Sequence, residues 1–233
     1  MDIESLKKQA AYQALEHVQS GMKLGLGSGS TATYFIQALG EKLRAGELKD
    51  IVGVPSSKRS ETLAKELGIP LEELSPLGVD VAIDGMDEVD PQLNAIKGLG
   101  GAQTREKIVA SSAKLFILIG DETKTVQQLG EKAPIPVEVV PFGYQATVAK
   151  LAALGTRPEQ RMGTEKGKAG NEPFMTDNGN YIFHCFVTPP IDAENLATEM
   201  ANNPGVLEHG LFLNMAKIAY VATSKEVLKL EVP

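Results

Sequence analysis

The sequence predicts an α/β fold, a parallel sheet covered by helices with a smaller α+β domain inserted into it. Two patterns carry this expectation. Short apolar runs alternate with segments of helical periodicity through the first half of the chain, the signature of strands joined by covering helices. After Gly130 the character changes: three prolines surround an apolar run in Ala133-Pro134-Ile135-Pro136-Val137-Glu138-Val139-Val140-Pro141, and turn-rich, strand-like segments follow.

The elements follow in order. Ile3, Leu6, Ala10, Ala14, Leu15 and Val18 recur on one helical face until Gly21 ends the pattern. Met22 to Leu26 is a strand, and Gly27-Ser28-Gly29-Ser30-Thr31 leads into a helix through Phe35, Ile36, Leu39 and Leu43. Strand Ile51 to Val54, helix Ser57 to Leu67, strand Val79 to Ile83, helix Thr104 to Ala113 and strand Leu115 to Ile119 continue the alternation. The second domain reads as strand Val137 to Val140, helix Gln145 to Leu154 and a strand near Gln160 to Met162. An exposed polar loop at Thr164 to Asn171, a hairpin at Asp177-Asn178-Gly179-Asn180, strand Tyr181 to Phe186 and helix Asp192 to Met200 follow it. Leu211 to Leu213, Ile218 to Ala222 and Val227 to Leu230 are expected to return to the first sheet or its edge. The expected domains are therefore 1–131 with 206–233, and 132–205.

Composition narrows the function. The 233 residues suffice for a full core, and 42% apolar with 23% charged residues is ordinary for a globular chain. A net charge of −7 opposes general nucleic-acid binding, which needs a basic surface, but leaves room for a small anion. No signal peptide or membrane span is expected. Cys185 is the single cysteine, so no intrachain disulfide exists; its strand-like flanks mark a buried structural thiol in a reducing compartment. His17, His184 and His209 have no ligand spacing, so no metal is expected. A serine hydrolase is also disfavoured, because no Gly-x-Ser-x-Gly elbow comes with placed Asp and His partners.

Three loops carry chemistry. In Lys97-Gly98-Leu99-Gly100-Gly101-Ala102-Gln103-Thr104-Arg105-Glu106-Lys107 a small-residue loop with one cation enters a helix whose first turn holds a carboxylate. Backbone N–H groups there suit a phosphate or enolate oxygen, and Lys97 suits a developing oxyanion. The plain alternatives are a solvated lysine and a Glu106 that merely complements the helix dipole. Asp84-Gly85-Met86-Asp87-Glu88-Val89-Asp90 leaves a buried strand, and Asp84 and Asp87 are close enough to share a hydroxylated ligand or a metal. Gly27 to Thr31 offers glycines, hydroxyls and a helix N-terminus; it reads either as a phosphate loop or as an ordinary capped turn. It is not a dinucleotide fingerprint, since the last glycine of G-x-G-x-x-G is Ser30 counted from Gly25 and Ala32 counted from Gly27. Lys124, after the strand ending at Ile119, is a rim cation open to surface or phosphate duty. Together the loops point to a sugar-phosphate site.

The motifs GSGSTA (27–32), DGMDEVD (84–90) and KGLGGAQTREK (97–107) resemble the signature loops of the type A ribose-5-phosphate isomerases. The opening helix with Leu6-Lys7-Lys8, Pro136-Val137-Glu138-Val139, Thr176-Asp177-Asn178-Gly179-Asn180 and Pro204-Gly205-Val206 resemble that family in the same order, so nearly the whole chain is covered. The resemblance implies a Rossmann-like domain, a smaller α+β domain and a cofactor-independent aldose–ketose isomerase. The implied reaction interconverts D-ribose 5-phosphate and D-ribulose 5-phosphate through an enediolate, in the pentose phosphate pathway or carbon fixation. It further implies Glu106 as base, Asp84 and Asp87 on sugar hydroxyls, and Lys97 with Gly98, Leu99 and Gly100 on the enediolate. Ser28, Gly29, Ser30, Thr31, Gly85, Met86 and Lys124 would grip substrate, with Lys7 adding to the phosphate field. A cytoplasmic homodimer or homotetramer is implied as well. The chain departs from the family pattern at Leu99, where glycine is usual, and at Met86, where a smaller residue stands. Other readings share the architecture: a sugar-phosphate sensor domain, opposed by the absence of a helix-turn-helix and by Glu106, and another phosphosugar isomerase or an acyl-CoA transferase, opposed by the paired aspartates.

Overall fold

The computed structural model describes residues 2–165 and 168–232. In chain order the elements are α1 (Ile3–Ala14), β1 (Lys23–Leu26), α2 (Gly29–Arg44), β2 (Val52–Pro55), α3 (Lys58–Glu66), β3 (Val79–Gly85), β4 (Glu88–Val89), β5 (Ala95–Ile96), α4 (Gln103–Ser111) and β6 (Ala113–Asp121). There follow β7 (Ile135–Val139), α5 (Tyr144–Ala153), β8 (Arg157–Gln160), β9 (Met162–Glu165), β10 (Lys168–Pro173), β11 (Tyr181–Phe186), α6 (Ala193–Ala201), β12 (Val206–His209), β13 (Leu211–Phe212), β14 (Ile218–Ala222) and β15 (Val227–Glu231). Two compact units result, one of 1–86, 105–125 and 214–233, the other of 87–104 and 126–213.

The first unit is built on a six-stranded sheet in the order β15-β14-β6-β3-β1-β2. All neighbours run parallel except β15, which pairs antiparallel with β14. Central strands of such a sheet are covered on both faces, which is why Leu24, Ile83 and Ile117 on one face and Ala82, Phe116 and Leu118 on the other are all buried. Helix α1 starts at Asp2, whose carboxylate accepts from Ser5 N at 2.8 Å. It turns Leu6, Ala10, Ala11 and Ala14 inward, and the three alanines let it lie close against α2. Each leucine or isoleucine fully removed from water in this core contributes about 1.5–3 kcal/mol. Ile3, expected on the buried face, is half exposed, whereas Leu15 and Val18 are buried beyond the helix end.

The second unit holds a four-stranded antiparallel sheet, β12-β7-β11-β8, a three-stranded sheet, β13-β5-β4, and the hairpin β9-β10. Ile135, Val137 and Val139 alternate along β7 and pack with Leu151, Leu196 and Met200 of α5 and α6. Pro136 and Glu138 on the intervening positions are also buried.

Several expectations need correction. Leu211 to Leu213 does not return to the parallel sheet; Leu211 pairs with Ile96 and Phe212 with Ala95 inside the second unit. Segments 87–104 and 206–213 accordingly pack with that unit. The strand expected near Gln160 to Met162 is two strands that part at Arg161, whose N–H turns to Ile182 O and whose carbonyl accepts from Phe174 N. The polar segment Thr164 to Asn171, expected as an open loop, is largely an antiparallel hairpin, held by backbone pairing without an apolar face to announce it; 166 and 167 lie outside the described residues. Ile218–Ala222 and Val227–Glu231 do join the first sheet as expected.

Cys185 is fully buried on β11, and burial pushes its thiol up to about 12. Reactivity follows the thiolate fraction. A water-soluble thiol reagent at pH 8 is therefore expected to label native protein at well under a hundredth of the rate seen in denaturant, as absorbance of the released chromophore would report.

Candidate active site

In the first unit the chain runs from β1 to β2 on one side and then to β3 on the other side of β1. The reversal opens a crevice beyond the carboxyl ends of β1 and β3, the place where open α/β sheets take ligands. Two of the expected loops meet there. Gly27 N donates to Ile83 O at 3.0 Å, and one Asp84 oxygen accepts from Ser28 N at 2.8 Å and Gly85 N at 2.7 Å. Asp84 is only 4% exposed, so backbone donors hold it in a single pose. Glu106, also 4% exposed, lines the same narrow crevice as Asp84, with Gly25, Gly27, Ser56 and Phe116.

Gly27 is required by this contact. A Cβ there would stand 2.3 Å from Asp84 Oδ1 and 2.5 Å from its Cα. Gly27→Ala is expected to displace Asp84 and cut turnover roughly 10²-fold, the usual cost of an ångström-scale misplacement; steady-state kinetics beside circular dichroism separate this from unfolding.

The Ser28 hydroxyl does not cap α2. It lies 2.8 Å from the hydroxyls of both Ser56 and Ser57, so the first turn of α2 keeps backbone N–H groups for a ligand. Gly29 and Ser30 are exposed and Thr31 is buried. Gly29 has φ +85°, a conformation that glycine adopts without strain. Lys124 follows β6, the other neighbour of β3, and its Cγ is 3.6 Å from the Cβ position of Gly120. The buried Met86 packs on the same glycine, its Cε 2.5 Å from that position. Lys7, expected to join the phosphate field, is paired with Glu4 at 2.7 Å.

The second unit holds the remaining candidates. Asp87 donates its backbone N–H to Ile96 O and accepts from Leu99 N at 2.9 Å. Leu99 is not among the residues with positive φ; Gly98 and Gly101 carry it instead, at +94° and +86°. A side chain at 99 is thus tolerated and its N–H still serves the loop. Lys97 is 2% exposed, with Nζ 5.3 Å from the centroid of the Phe212 ring. A solvated loop lysine is thereby excluded. Gly100 is exposed, with nothing within 4 Å of a Cβ position.

The acidic motif divides by role. Glu88, fully buried, accepts the backbone N–H groups of Gly130 and Ala133 at 2.6 Å and that of Lys132. Asp90 closes a turn through Gln92 N and Asn94 N, both at 2.9 Å. The sequence pattern gives these two no role, because their backbone partners are not visible in the motif itself. Among the described residues no group of three or more His, Cys, Asp or Glu is arranged to hold a metal ion.

A buried carboxylate pair at the switch point of an open α/β sheet, beside an uncapped helix N-terminus, defines an enzyme-like site for a small hydroxylated anion. Comparison with known proteins gives that class a family. The family described as Ribose 5-phosphate isomerase A (phosphoriboisomerase A) matches residues 52–226. Ribose-5-phosphate isomerase A of Deinococcus radiodurans is 49% identical over 230 residues, 99% of each chain, and that of Pyrococcus horikoshii is 44% identical over 232 residues, 99% of this chain and 100% of its own. The solved ribose 5-phosphate isomerase from Plasmodium falciparum superposes with a TM-score of 0.93 at 41% identity, covering 99% of both chains. A solved D-ribose-5-phosphate isomerase, titled as a complex with phospho-erythronic acid, superposes at 0.94 with 45% identity and full coverage of both. The chain belongs to the ribose 5-phosphate isomerase A family.

Proposed function

We propose that this chain interconverts D-ribose 5-phosphate and D-ribulose 5-phosphate by proton transfer through an enediolate, in the pentose phosphate pathway. The observation that carries the reading is the buried Glu106 beside Asp84 at the β1/β3 switch point of a chain from this family. Glu106 takes the C2 proton of the open-chain aldose and returns it to C1, while O1 gains a proton and O2 loses one. Atoms and charge balance, and no external oxidant, reductant or cofactor enters. Asp84 and Asp87 hold sugar hydroxyls and assist ring opening. Lys97, with the backbone of Gly98, Leu99 and Gly100, takes the negative charge of the enediolate. Ser28, Gly29, Ser30 and Thr31 with Lys124 receive the phosphate, and Gly85 and Met86 form part of the wall.

A general base typically contributes ~10²–10⁴-fold and one oxyanion donor about 3 kcal/mol, so the two roles together supply roughly 10⁴–10⁶-fold. Triosephosphate isomerase, on a different fold, divides glutamate base and electrophile in the same way. The test is conversion of D-ribose 5-phosphate by purified protein, with and without EDTA. Equal turnover in both is the expected result. Binding of the sugar phosphate without isomerisation would replace the enzyme by a sensor.

The same reading places the protein in the cytoplasm as a homodimer or homotetramer. The lone buried Cys185 suits a reducing compartment, and among the described residues no helix is long and apolar enough to cross a membrane. Light scattering coupled to gel filtration gives the assembly.

A further inference from the structure

Glu138 has no part in the chemistry above, yet it is fully buried on β7 and is the meeting point of four side chains. Its Oε1 accepts from Thr176 Oγ1 at 2.7 Å, Asn180 Nδ2 at 2.9 Å and Asn178 Nδ2 at 3.2 Å. Its Oε2 accepts from Thr104 Oγ1, with Asn178 Nδ2 at 3.4 Å. Only an acceptor-only group with several lone pairs satisfies such a ring of donors. The direction of the network is fixed too. Thr176 Oγ1 already accepts from Asn178 N at 3.2 Å and Asn180 N at 3.1 Å, so its one proton is committed to Glu138.

The Oε2 arm leads to the machinery. Thr104 is the second residue of α4, it closes the loop that begins at Lys97, and Glu106 is two residues further along the same helix. Resting on the isomerase reading, we propose that Glu138 is a positioning residue: through Thr104 it fixes the end of the Lys97 loop and the first turn of α4, and so the pose of Glu106. The Thr176–Asn180 turn anchors the carboxylate from behind.

The two arms respond differently to substitution. In Glu138→Gln the amide nitrogen avoids the Oε1 side, where it would face three donors, and takes the Oε2 side, where the Thr104 hydroxyl must reverse from donor to acceptor and the long Asn178 contact is given up. The change falls on the Thr104 arm. Thr104→Val removes that arm outright, and Thr104→Ser restores the hydroxyl.

The experiment measures kcat and KM for ribose 5-phosphate, thermal melting and amide hydrogen exchange on the full chain. Thr104→Val is expected to lower kcat roughly 10²-fold with KM little changed, by the sensitivity of proton transfer to ångström misplacement. Glu138→Gln moves the same way by less, and Thr104→Ser recovers most of the rate. Leu196→Ala, a core change in the same unit, controls for stability: it should melt at least as early and keep its kcat. Amides at 103–107 should exchange faster in Thr104→Val and not in Thr104→Ser. Wild-type kcat in Thr104→Val, or an equal rate loss in Leu196→Ala, overturns the proposal. An inactive wild type overturns the isomerase reading instead, and the exchange data then decide whether Glu138 holds the start of α4: unchanged protection at 103–107 in Thr104→Val refutes it.

Discussion

Glu106→Gln is expected to lower kcat for ribose 5-phosphate by at least ~10²–10⁴-fold while leaving KM within a small factor of wild type. Glutamine keeps the volume and one hydrogen-bonding oxygen in a site where the side chain is only 4% exposed, so the crevice with Asp84 and Phe116 stays filled. What it loses is basicity toward a carbon acid. An interaction made only along the proton-transfer coordinate shows in kcat and not in KM. Substrate that keeps its phosphate and hydroxyl contacts should therefore saturate the variant normally. Exchange of the C2 hydrogen with deuterated solvent gives a second readout, because it reports proton abstraction even when turnover is too slow to follow. A variant that loses binding and melting temperature together with activity would assign Glu106 to the structure of the crevice, and the base would have to be sought elsewhere.

The sequence made the first unit readable because its signals are local. Apolar runs of the right length, helical periodicity and glycine at the strand exits placed β1, β3, α2 and α4 within a few residues, and marked the close approach at Gly27. What stayed hidden depends on partners remote in sequence. Glu138 in an alternating strand reads as a solvent-facing residue, since the donors that make its burial possible come from Thr104, Thr176, Asn178 and Asn180. Glu88 is the same case, a carboxylate buried by three backbone N–H groups more than forty residues away. Strands of two residues, β4, β5 and β13, are too short to carry any periodicity, and the return of Leu211–Phe212 to the second unit followed from pairing alone. The burial of Lys97 was equally illegible, because a lysine in a glycine loop has a solvated default and the Phe212 ring it meets is distant in the chain.

That burial sets the second large effect. Lys97→Met is expected to cost ~10²–10³-fold in kcat/KM, the range for removing one donor from a developing oxyanion. Methionine follows the lysine stem over Phe212 and fills the niche, and the cation–π contact it gives up is about 0.5–2 kcal/mol. The rate loss should therefore exceed anything the melting temperature predicts. Lys97→Arg is not a rescue: the guanidinium is a planar fork in a site 2% exposed, and the neighbouring backbone is tight, with Lys97 N bonded to Gly210 O at 2.9 Å and a Cβ at Gly210 only 2.2 Å from Lys97 O. The decisive comparison is between ground state and intermediate. If Lys97 answers the enediolate charge as proposed, an anionic analogue of the enediolate should lose far more affinity for Lys97→Met than ribose 5-phosphate does, because that charge exists only after the C2 proton has left. Equal losses for both ligands would make Lys97 a general substrate anchor, and the enediolate charge would then fall to the backbone N–H groups of Gly98, Leu99 and Gly100.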